Sequence, residues 1–486
     1  MRFGVTWQDN ILQFHTYTVV LLVYSVIEIQ LLFRKIGRKA LLSPVVLGTA
    51  IMFMLNFGVT NFFMTSELAF DFTTFYIRRS FGYRETYNYW MAFNAYVVCL
   101  CFLTMWVGYY ATFLSQGIRQ ALTVLLGLRY FHRQRLLVSV RRAFLFIGLG
   151  ISTKLLKLSL GIYGYTAATA ALNRYSAILS PLKYLEMVST AGLLFLAFHV
   201  FSFPKDRRAL LVLVVATTLE VLFGILSGFK YQVVAPVLVV AIAYLLHYQR
   251  LPFKFILPGM VVLFLAYQVV EPFRKATGYG GGKQYSTTEL VSKSLSATAS
   301  AETGDRKDLI LGFFTAISFR TNLSVFSALS MKLGVGDRRF FPDLDTRRQV
   351  LLSPVLAYVP RAVWPSKPVL ALGGGIFTQQ VLRRKDDPTS VTPGPFGYIA
   401  LSTGSVGWML AFFLVVGVAA RIVFYFYEIG GGGWILYLGL LPTFLSISEP
   451  QMFFVNLFKD TPVLLLAQFF LIAGAGRSAP PLANRK

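Results

Sequence analysis

The sequence predicts an all-α polytopic membrane protein in which about eleven helices cross the bilayer. Of its 486 residues, 56% are hydrophobic and only 14% are charged. A soluble protein of this length would carry more charge and fewer apolar residues. Apolar runs recur along the chain, and each is long enough to cross a hydrocarbon core about 30 Å thick. These runs are continuous rather than alternating, so they favour helices over a β-barrel.

The apolar runs divide the chain into three regions. Residues 1–270 contain about eight predicted spans, residues 271–401 form one large loop, and residues 402–486 contain about three spans and a basic tail. The predicted spans lie near residues 14–33, 41–64, 90–114, 143–163, 184–203, 209–228, 232–248, 254–270, 402–427, 434–449 and 461–476.

Basic residues are concentrated in alternate short loops between these spans. The enriched side holds Arg34, Lys35, Arg38, Lys39, Arg119, Arg129, Arg133, Arg135, Arg141, Arg142, Lys205, Arg207, Arg208, Arg250 and Lys254, and the tail adds Arg477, Arg485 and Lys486. The opposite short loops hold far fewer, chiefly Arg78, Arg79 and Arg84. Since short basic loops stay in the cytoplasm, we expect a cytoplasmic tail, with the N-terminus and the large loop outside.

The large loop is mixed in character and is expected to carry short helices. Residues 276–308 are rich in Gly, Ser, Thr and Ala, which is typical of a linker, whereas residues 350–370 are apolar and interrupted by prolines. Residues 309–333 are apolar with a helical period and are long enough to span. Arg320 lies in mid-segment, and together with the basic tail it favours a helix in the interface or packed against the bundle.

Composition and motif content argue against several kinds of site. The formal net charge is +25, but its placement follows membrane topology, and no nucleic-acid-binding motif is present. The two cysteines, Cys99 and Cys101, lie in an apolar run, and all four histidines lie outside the large loop. We therefore expect no nucleic-acid partner, no metal centre and no cofactor.

Arg320 is the first candidate for an anion-binding residue. Helical spacing places it on one face with Ala316, Ser324 and Ser327, whose small side chains leave room around the guanidinium. A desolvated arginine needs an anionic partner or several acceptors. That partner is either a bound anion or a carboxylate of the protein, such as Asp308 or Glu271, and the sequence leaves both interpretations open.

The proline-rich segment 358–368 supplies the next candidates. Its three prolines exclude a regular helix and hold Arg361 and Lys367 on a backbone with few conformations. Tyr358 and Trp364 offer flat faces on which a sugar ring could stack. The alternative is an ordinary interfacial segment, where aromatic and basic residues are common.

Arg274 and Lys275 follow the eighth predicted span. They are candidates for contacting a lipid head group, and the alternative is that they are basic side chains extending from the membrane edge to water.

Carboxylates outside the cytoplasm are scarce, and no convincing acid–base pair stands out. The candidates for a general base are Glu271, Glu289, Glu302, Asp305, Asp308, Asp343, Asp345 and Glu449.

Two stretches near the end of the loop carry a resemblance to a known family. The stretch Val359-Pro360-Arg361-Ala362-Val363-Trp364-Pro365-Ser366-Lys367-Pro368 resembles the signature of Wzy-type O-antigen and exopolysaccharide polymerases, which join oligosaccharide repeat units. Downstream, the stretch from Thr392 to Tyr398 and the motif from Gly404 to Gly407 are also similar. The layout of many helices with one large external loop fits that family too.

The resemblance implies an inverting, metal-independent membrane glycosyltransferase of GT-C type in the bacterial inner membrane. Donor and acceptor would be oligosaccharides on undecaprenyl pyrophosphate, and a chain-length regulator would be a partner. Arg361 and Arg320 would hold the departing pyrophosphate. The binding residues would be Arg274, Lys275, Lys367, Trp364, Tyr358 and Tyr398.

Two other functions stay open beside the polymerase. The related O-antigen ligases resemble a version with a loop histidine, which this loop lacks, so the polymerase is favoured and the acceptor's base stays unidentified. A flippase or transporter for lipid-linked sugars would need ionisable residues within the helix bundle. The sequence offers few of them, namely Lys154, Lys157 and Glu220.

Overall fold

In a computed structural model, the described part of the chain is helical. It comprises residues 7–57, 81–113, 140–164, 174–248, 323–339, 393–429, 433–445 and 449–472, with isolated positions between them. The α-helices within these ranges are α1 Trp7–Ile36, α2 Pro44–Phe57, α3 Arg84–Phe113, α4 Val140–Ser159, α5 Ser176–Ser202, α6 Arg207–Ser227, α7 Lys230–Tyr248, α8 Leu323–Met331, α9 Gly394–Thr403, α10 Val406–Ile429, α11 Gly433–Leu445 and α12 Pro450–Ile472. A 3-10 helix, Gly37–Leu42, follows α1, and a π turn, Lys332–Gly336, follows α8.

Five of the described helices are long and apolar enough to cross a membrane. They cover Thr16–Leu42, Arg84–Thr112, Pro181–Ser202, Arg207–Ser227 and Val406–Ile429. Shorter apolar helices occupy Pro44–Phe53 and Gln232–Leu245, within two other predicted spans. The predicted span at 254–270 lies almost wholly outside the described residues.

The helix that contains most of the last predicted span begins before that span. The helix begins at Pro450 rather than near residue 461. Proline is favoured at the first helical position, where its missing N–H costs nothing, and the Glu449 carbonyl accepts a hydrogen bond from the Phe453 N–H at 3.1 Å. The sequence did not show this beginning, because Gln451, Asn456, Lys459 and Asp460 interrupt the apolar run over the first three turns of α12.

The chain divides into two compact units. Unit 1 comprises Met1–His132, Ala316–Val359 and Lys367–Leu464. Its α3 and α10 pack through glycines: a side chain at Gly417 would overlap the Met105 carbonyl, and one at Gly108 would overlap the Leu414 carbonyl. Small residues allow such close approach where lipid supplies no hydrophobic drive between helices.

Helix α8 is the described part of the apolar segment 309–333, and it is buried within unit 1. Every residue from Ser324 to Met331 is buried. The Ser327 hydroxyl donates a 2.7 Å hydrogen bond to Oδ1 of Asn94 on α3. This burial fits a helix packed against the bundle, and that residues 309–333 do not span the membrane stays a prediction.

The two ends of unit 1 can be told apart by the segments that lie there. At the basic end, Arg34, Lys35 and Lys39 lie at or just beyond the end of α1. The Tyr437 hydroxyl of α11 donates to the Leu42 carbonyl, so α11 begins, and α10 ends, at this basic end. Since α10 has 24 residues, it is about 36 Å long, and α9, which directly precedes it, lies at the other end. We call this second end the α9 end.

Unit 2 comprises Arg133–Thr315, Pro360–Ser366 and Leu465–Lys486, and its described helices are α4–α7. Helices α4 and α5 approach closely, since a side chain at Gly150 would overlap Ser189. The start of α6 is capped by Asp206, whose Oδ1 accepts a 3.0 Å hydrogen bond from the Ala209 N–H. The outer faces are apolar and exposed, for example Leu145 and Leu211, as lipid contact requires.

Candidate functional site

Two of the eight predicted site residues, Trp364 and Tyr398, lie among the described residues. Trp364 belongs to unit 2 and is half-buried. The others lie outside the described residues, so their roles stay predictions: Arg361, Arg320, Arg274, Lys275, Lys367 and Tyr358.

Tyr398 lies on α9 inside unit 1, with 1% of its surface exposed. Its hydroxyl is hydrogen-bonded to the Gln451 side chain, and the Glu449 carboxylate lies close enough to act on it electrostatically. Burial raises the pKa of Tyr398, the charge of Glu449 raises it further, and the Gln451 bond opposes both. The phenol is therefore protonated at neutral pH and contributes a neutral hydroxyl to this cluster.

Glu449 and Gln451 flank the first residue of α12. Gln451 is 1% exposed and Glu449 is 9% exposed. The Gln451 amide Nε2 donates to Glu449 Oε2 at 3.2 Å. The helix N-terminus, with its partial positive charge, also favours a carboxylate here. Together, Tyr398, Gln451 and Glu449 form what we call the Tyr398–Glu449 cluster.

The Tyr398–Glu449 cluster lies at the α9 end of unit 1. Glu449 follows α11, which runs away from the basic end, and Tyr398 lies on α9, just before α10 begins. Glycines allow α9 to approach α8 and the π turn after it closely. A side chain at Gly334 of the turn would overlap the Ala400 carbonyl, and one at Gly397 would crowd Ser330 of α8. If the basic end is cytoplasmic, as the positive-inside pattern predicts, this cluster faces the opposite compartment.

A basic turn follows α8 at the same end. The Arg339 N–H donates to the Leu333 carbonyl at 2.8 Å, and Lys332 pairs with Asp337 at 3.1 Å. Between them Arg338 adopts a left-handed backbone with φ 53°, a position that usually holds glycine. Arg338 and Arg339 are exposed, so the turn presents two guanidinium groups. Sequence reasoning missed them, although the glycines at 334 and 336 signal a helix end there.

Unit 2 contains one buried and three partly buried charged residues that the sequence made appear isolated. Lys154 and Lys157 lie one turn apart on α4. The Lys157 Nζ lies 3.0 Å from Oε1 of Glu186 on α5. Lys154 pairs with Glu220 of α6, and Glu220 also accepts a 2.5 Å hydrogen bond from the Ser189 hydroxyl. We call Lys154, Lys157, Glu186 and Glu220 the ion-pair ladder.

Sequence analysis recognised three members of the ion-pair ladder but missed Glu186. Spacing along one helix cannot identify a partner on another, so the three charges seemed few and unconnected. Buried ionisable residues in membrane helices pair with one another and often mark pathways for ions or substrates. Among the residues that the structure describes, no group of three or more His, Cys, Asp or Glu is arranged to hold a metal ion.

The described helices and their buried charges define the class of the chain as an all-helical membrane protein. Within that class, the chain belongs to the family described as Domain of unknown function (DUF8712), whose profile matches residues 142–445. The match covers Arg320, Arg361 and Tyr398 and ends four residues before Glu449. A comparison with curated proteins finds no match, and neither does a comparison with solved structures.

Proposed function

We propose that the protein is a polymerase that joins oligosaccharide repeat units carried on undecaprenyl pyrophosphate. The reaction is an inverting, metal-independent glycosyl transfer at the periplasmic face of the bacterial inner membrane. The observation that carries this proposal is the stretch from Val359 to Pro368, with its resemblance to the polymerase signature. The Tyr398–Glu449 cluster, buried at the α9 end of unit 1, lends support.

The chemistry requires stabilisation of the negative charge that develops on a leaving diphosphate. Without a metal, fixed guanidinium groups are the natural donors, since they form paired, charge-assisted hydrogen bonds to phosphate oxygens. We assign this role to Arg361 and Arg320. The other cations, Lys367, Arg274 and Lys275, contribute to binding of the diphosphate.

The sugar requires flat apolar surfaces and polar contacts for orientation. Trp364 and Tyr358 supply stacking faces under this proposal. The buried Tyr398 contributes by holding Gln451 and Glu449 in place.

The membrane setting is part of the proposal. Eleven spans in a GT-C-like arrangement give an external N-terminus, an external loop over residues 271–401 and a cytoplasmic tail. Within unit 1, Arg34, Lys35 and Lys39 lie at the end opposite α9, as this orientation requires of the basic loop after the first span. Cysteine labelling from each side of the membrane tests this orientation. Labelling of residues 334–401 from the cytosolic side would contradict it.

The direct experiment is incubation of the purified protein with a synthetic lipid-linked repeat unit, followed by a gel that resolves product ladders. The wild type should give ladders in the presence of EDTA, and Arg361→Ala should give none while still accumulating in the membrane. Arg174→Ala is the matched control, since Arg174 is an exposed arginine predicted on the same side of the membrane. Ladders of normal length from Arg361→Ala would contradict the proposal.

The ion-pair ladder favours a second candidate, a flippase or transporter for lipid-linked sugars without chemistry. Four ionisable side chains within three helices of unit 2 are what a substrate or ion pathway uses. In vesicles, a labelled lipid-linked unit that crosses between leaflets and is never extended would support this candidate. Ladder products would support the polymerase. An O-antigen ligase would instead transfer the glycan to lipid A-core.

A further inference from the structure

A glycosyl transfer to a sugar hydroxyl needs a group that takes the hydroxyl proton. Positioned carboxylates commonly do this and contribute about 100-fold to 10,000-fold in rate. The four histidines all lie outside the large loop, and the sequence alone leaves the acceptor's base open among several carboxylates.

Of the candidate bases, Glu449 lies at the described α9 end of unit 1, and it can be compared there with two other described carboxylates. Glu85 is exposed at the start of α3, and Asp337 is exposed and paired with Lys332. Glu449 differs from both, since it is 9% exposed and lies beside the buried Tyr398 and Gln451. Burial of an ionised carboxylate costs free energy unless hydrogen bonds or nearby charges compensate it. Such groups are therefore frequent at functional sites.

The geometry also restrains the carboxylate. Gln451 donates to Glu449 Oε2, and Gln451 is itself hydrogen-bonded to Tyr398 on α9. The Glu449 backbone is fixed by the bond from Phe453 and by Pro450. A general base must be held within hydrogen-bond reach of the proton it removes, so restraint from two helices is an advantage.

We propose that Glu449 is the general base that activates the acceptor hydroxyl, an inference that rests on the proposed polymerase function. As the acceptor oxygen forms its bond to the anomeric carbon of the donor, Glu449 takes the hydroxyl proton. The bond from the anomeric carbon to the diphosphate oxygen breaks, and the lipid diphosphate leaves with that electron pair. Tyr398 and Gln451 are positioning residues that hold the carboxylate.

The test compares Glu449→Gln with the wild type in the ladder assay. The substitution keeps the shape of the side chain and removes its ability to accept the proton. We expect elongation to fall about 100-fold or more, while binding of the labelled lipid-linked unit and the melting temperature stay near wild type. Glu85→Gln, which neutralises an exposed carboxylate at the same end, should keep the wild-type rate.

The pH profile separates a base from a structural carboxylate. The wild-type rate should fall in acid, which gives the pH profile an acid limb. The residual rate of Glu449→Gln should show no such fall. Gln451→Met keeps the base, so it should lower the rate several-fold and retain the acid limb.

Several results would overturn the inference. Full elongation by Glu449→Gln would do so while leaving the polymerase proposal intact, and equal losses of binding and melting temperature would reveal a structural role. If Glu449→Gln does not accumulate, Glu449→Asp carries the test: a reduced rate that still falls in acid supports the base, and a rate that no longer falls in acid refutes it. A wild type that forms no ladders would refute the polymerase proposal together with this inference.

Discussion

Lys154 of α4 and Glu220 of α6 form an ion pair in which the lysine side chain is 13% exposed and the glutamate side chain 8% exposed. Ser189 of α5 donates to the same carboxylate, so three helices meet at Glu220. In a dry interior, an ion pair gains little over apolar side chains, but a single charge left without its partner is strongly unfavourable. Without Lys154, Glu220 would therefore be a buried carboxylate without its counter-charge at the contact of three helices.

This relationship predicts a non-additive pair of substitutions. Lys154→Met should lower the free energy of unfolding by about 3 kcal/mol, since it removes the counter-charge of Glu220. The double variant Lys154→Met/Glu220→Met should recover most of that loss. Thermal unfolding in detergent measures both, with Lys183→Met as the control because Lys183 is exposed on α5. A double variant no more stable than the single one would contradict the argument.

The glycine contact between α3 and α10 gives a second prediction. Gly417→Ala should destabilise unit 1 by about 1–3 kcal/mol, since the new methyl group would overlap the Met105 carbonyl and push the helices apart. Gly407→Ala on the same helix is the matched control, because its new methyl group would meet only an ordinary contact with Ser405 at 3.5 Å. There the alanine should be neutral or slightly stabilising. Equal effects at both positions would refute the packing argument.

Apolar runs identify helices well where lipid or protein surrounds the whole helix. The run at 402–427 predicted α10, which occupies Val406–Ile429. The separate helix α9 was not predicted, because its end depends on the left-handed backbone of Gly404, with φ 60°. Apolar residues lie on both sides of the junction, so the predicted span began at Ser402 and did not show that one helix ends and another begins there.

The candidate site was harder to predict than the helices. Tyr398 was selected through a resemblance, and its partners Gln451 and Glu449 lie about fifty residues further along the chain. Contacts between distant segments depend on packing, which no local pattern contains. Glu186 was missed for the same reason, since its partner Lys157 lies on another helix.

The left-handed backbone of Arg338 predicts a gain in stability on substitution. Arg338→Gly should raise the free energy of unfolding by about 1 kcal/mol, since a side chain is unfavourable in that region and glycine is not. Arg339→Gly is the control, and it should bring no gain because Arg339 has no positive φ. Denaturation of the two variants in detergent measures the difference. Lower stability for Arg338→Gly would mean that its side chain makes contacts worth more than the strain.

The cap of α6 predicts a pH-dependent effect. The hydrogen bond from the Ala209 N–H, followed by the bond from His199, lowers the pKa of Asp206. A carboxyl whose folded pKa lies below its unfolded value stabilises the fold above the unfolded pKa, and that contribution is lost as pH falls through the folded pKa. Asp206→Ala should therefore lower the melting temperature at neutral pH, and the difference should shrink in acid, below about pH 4. Asp206→Asn keeps a cap acceptor, so its melting temperature at neutral pH should lie between those of the wild type and Asp206→Ala. A constant difference across this range would exclude a role for the charge.

The most direct test of the guanidinium chemistry is Arg361→Lys. Lysine keeps the positive charge but offers a compact ammonium group in place of the planar fork that binds two phosphate oxygens at once. If Arg361 stabilises the leaving diphosphate through such a fork, Arg361→Lys should retain only a small part of the wild-type rate in the ladder assay. Arg174→Lys, at an exposed arginine two residues before α5 begins, should have no effect. A lysine variant with full activity would show that charge alone is enough, and the paired hydrogen bonds would then have no part in the mechanism.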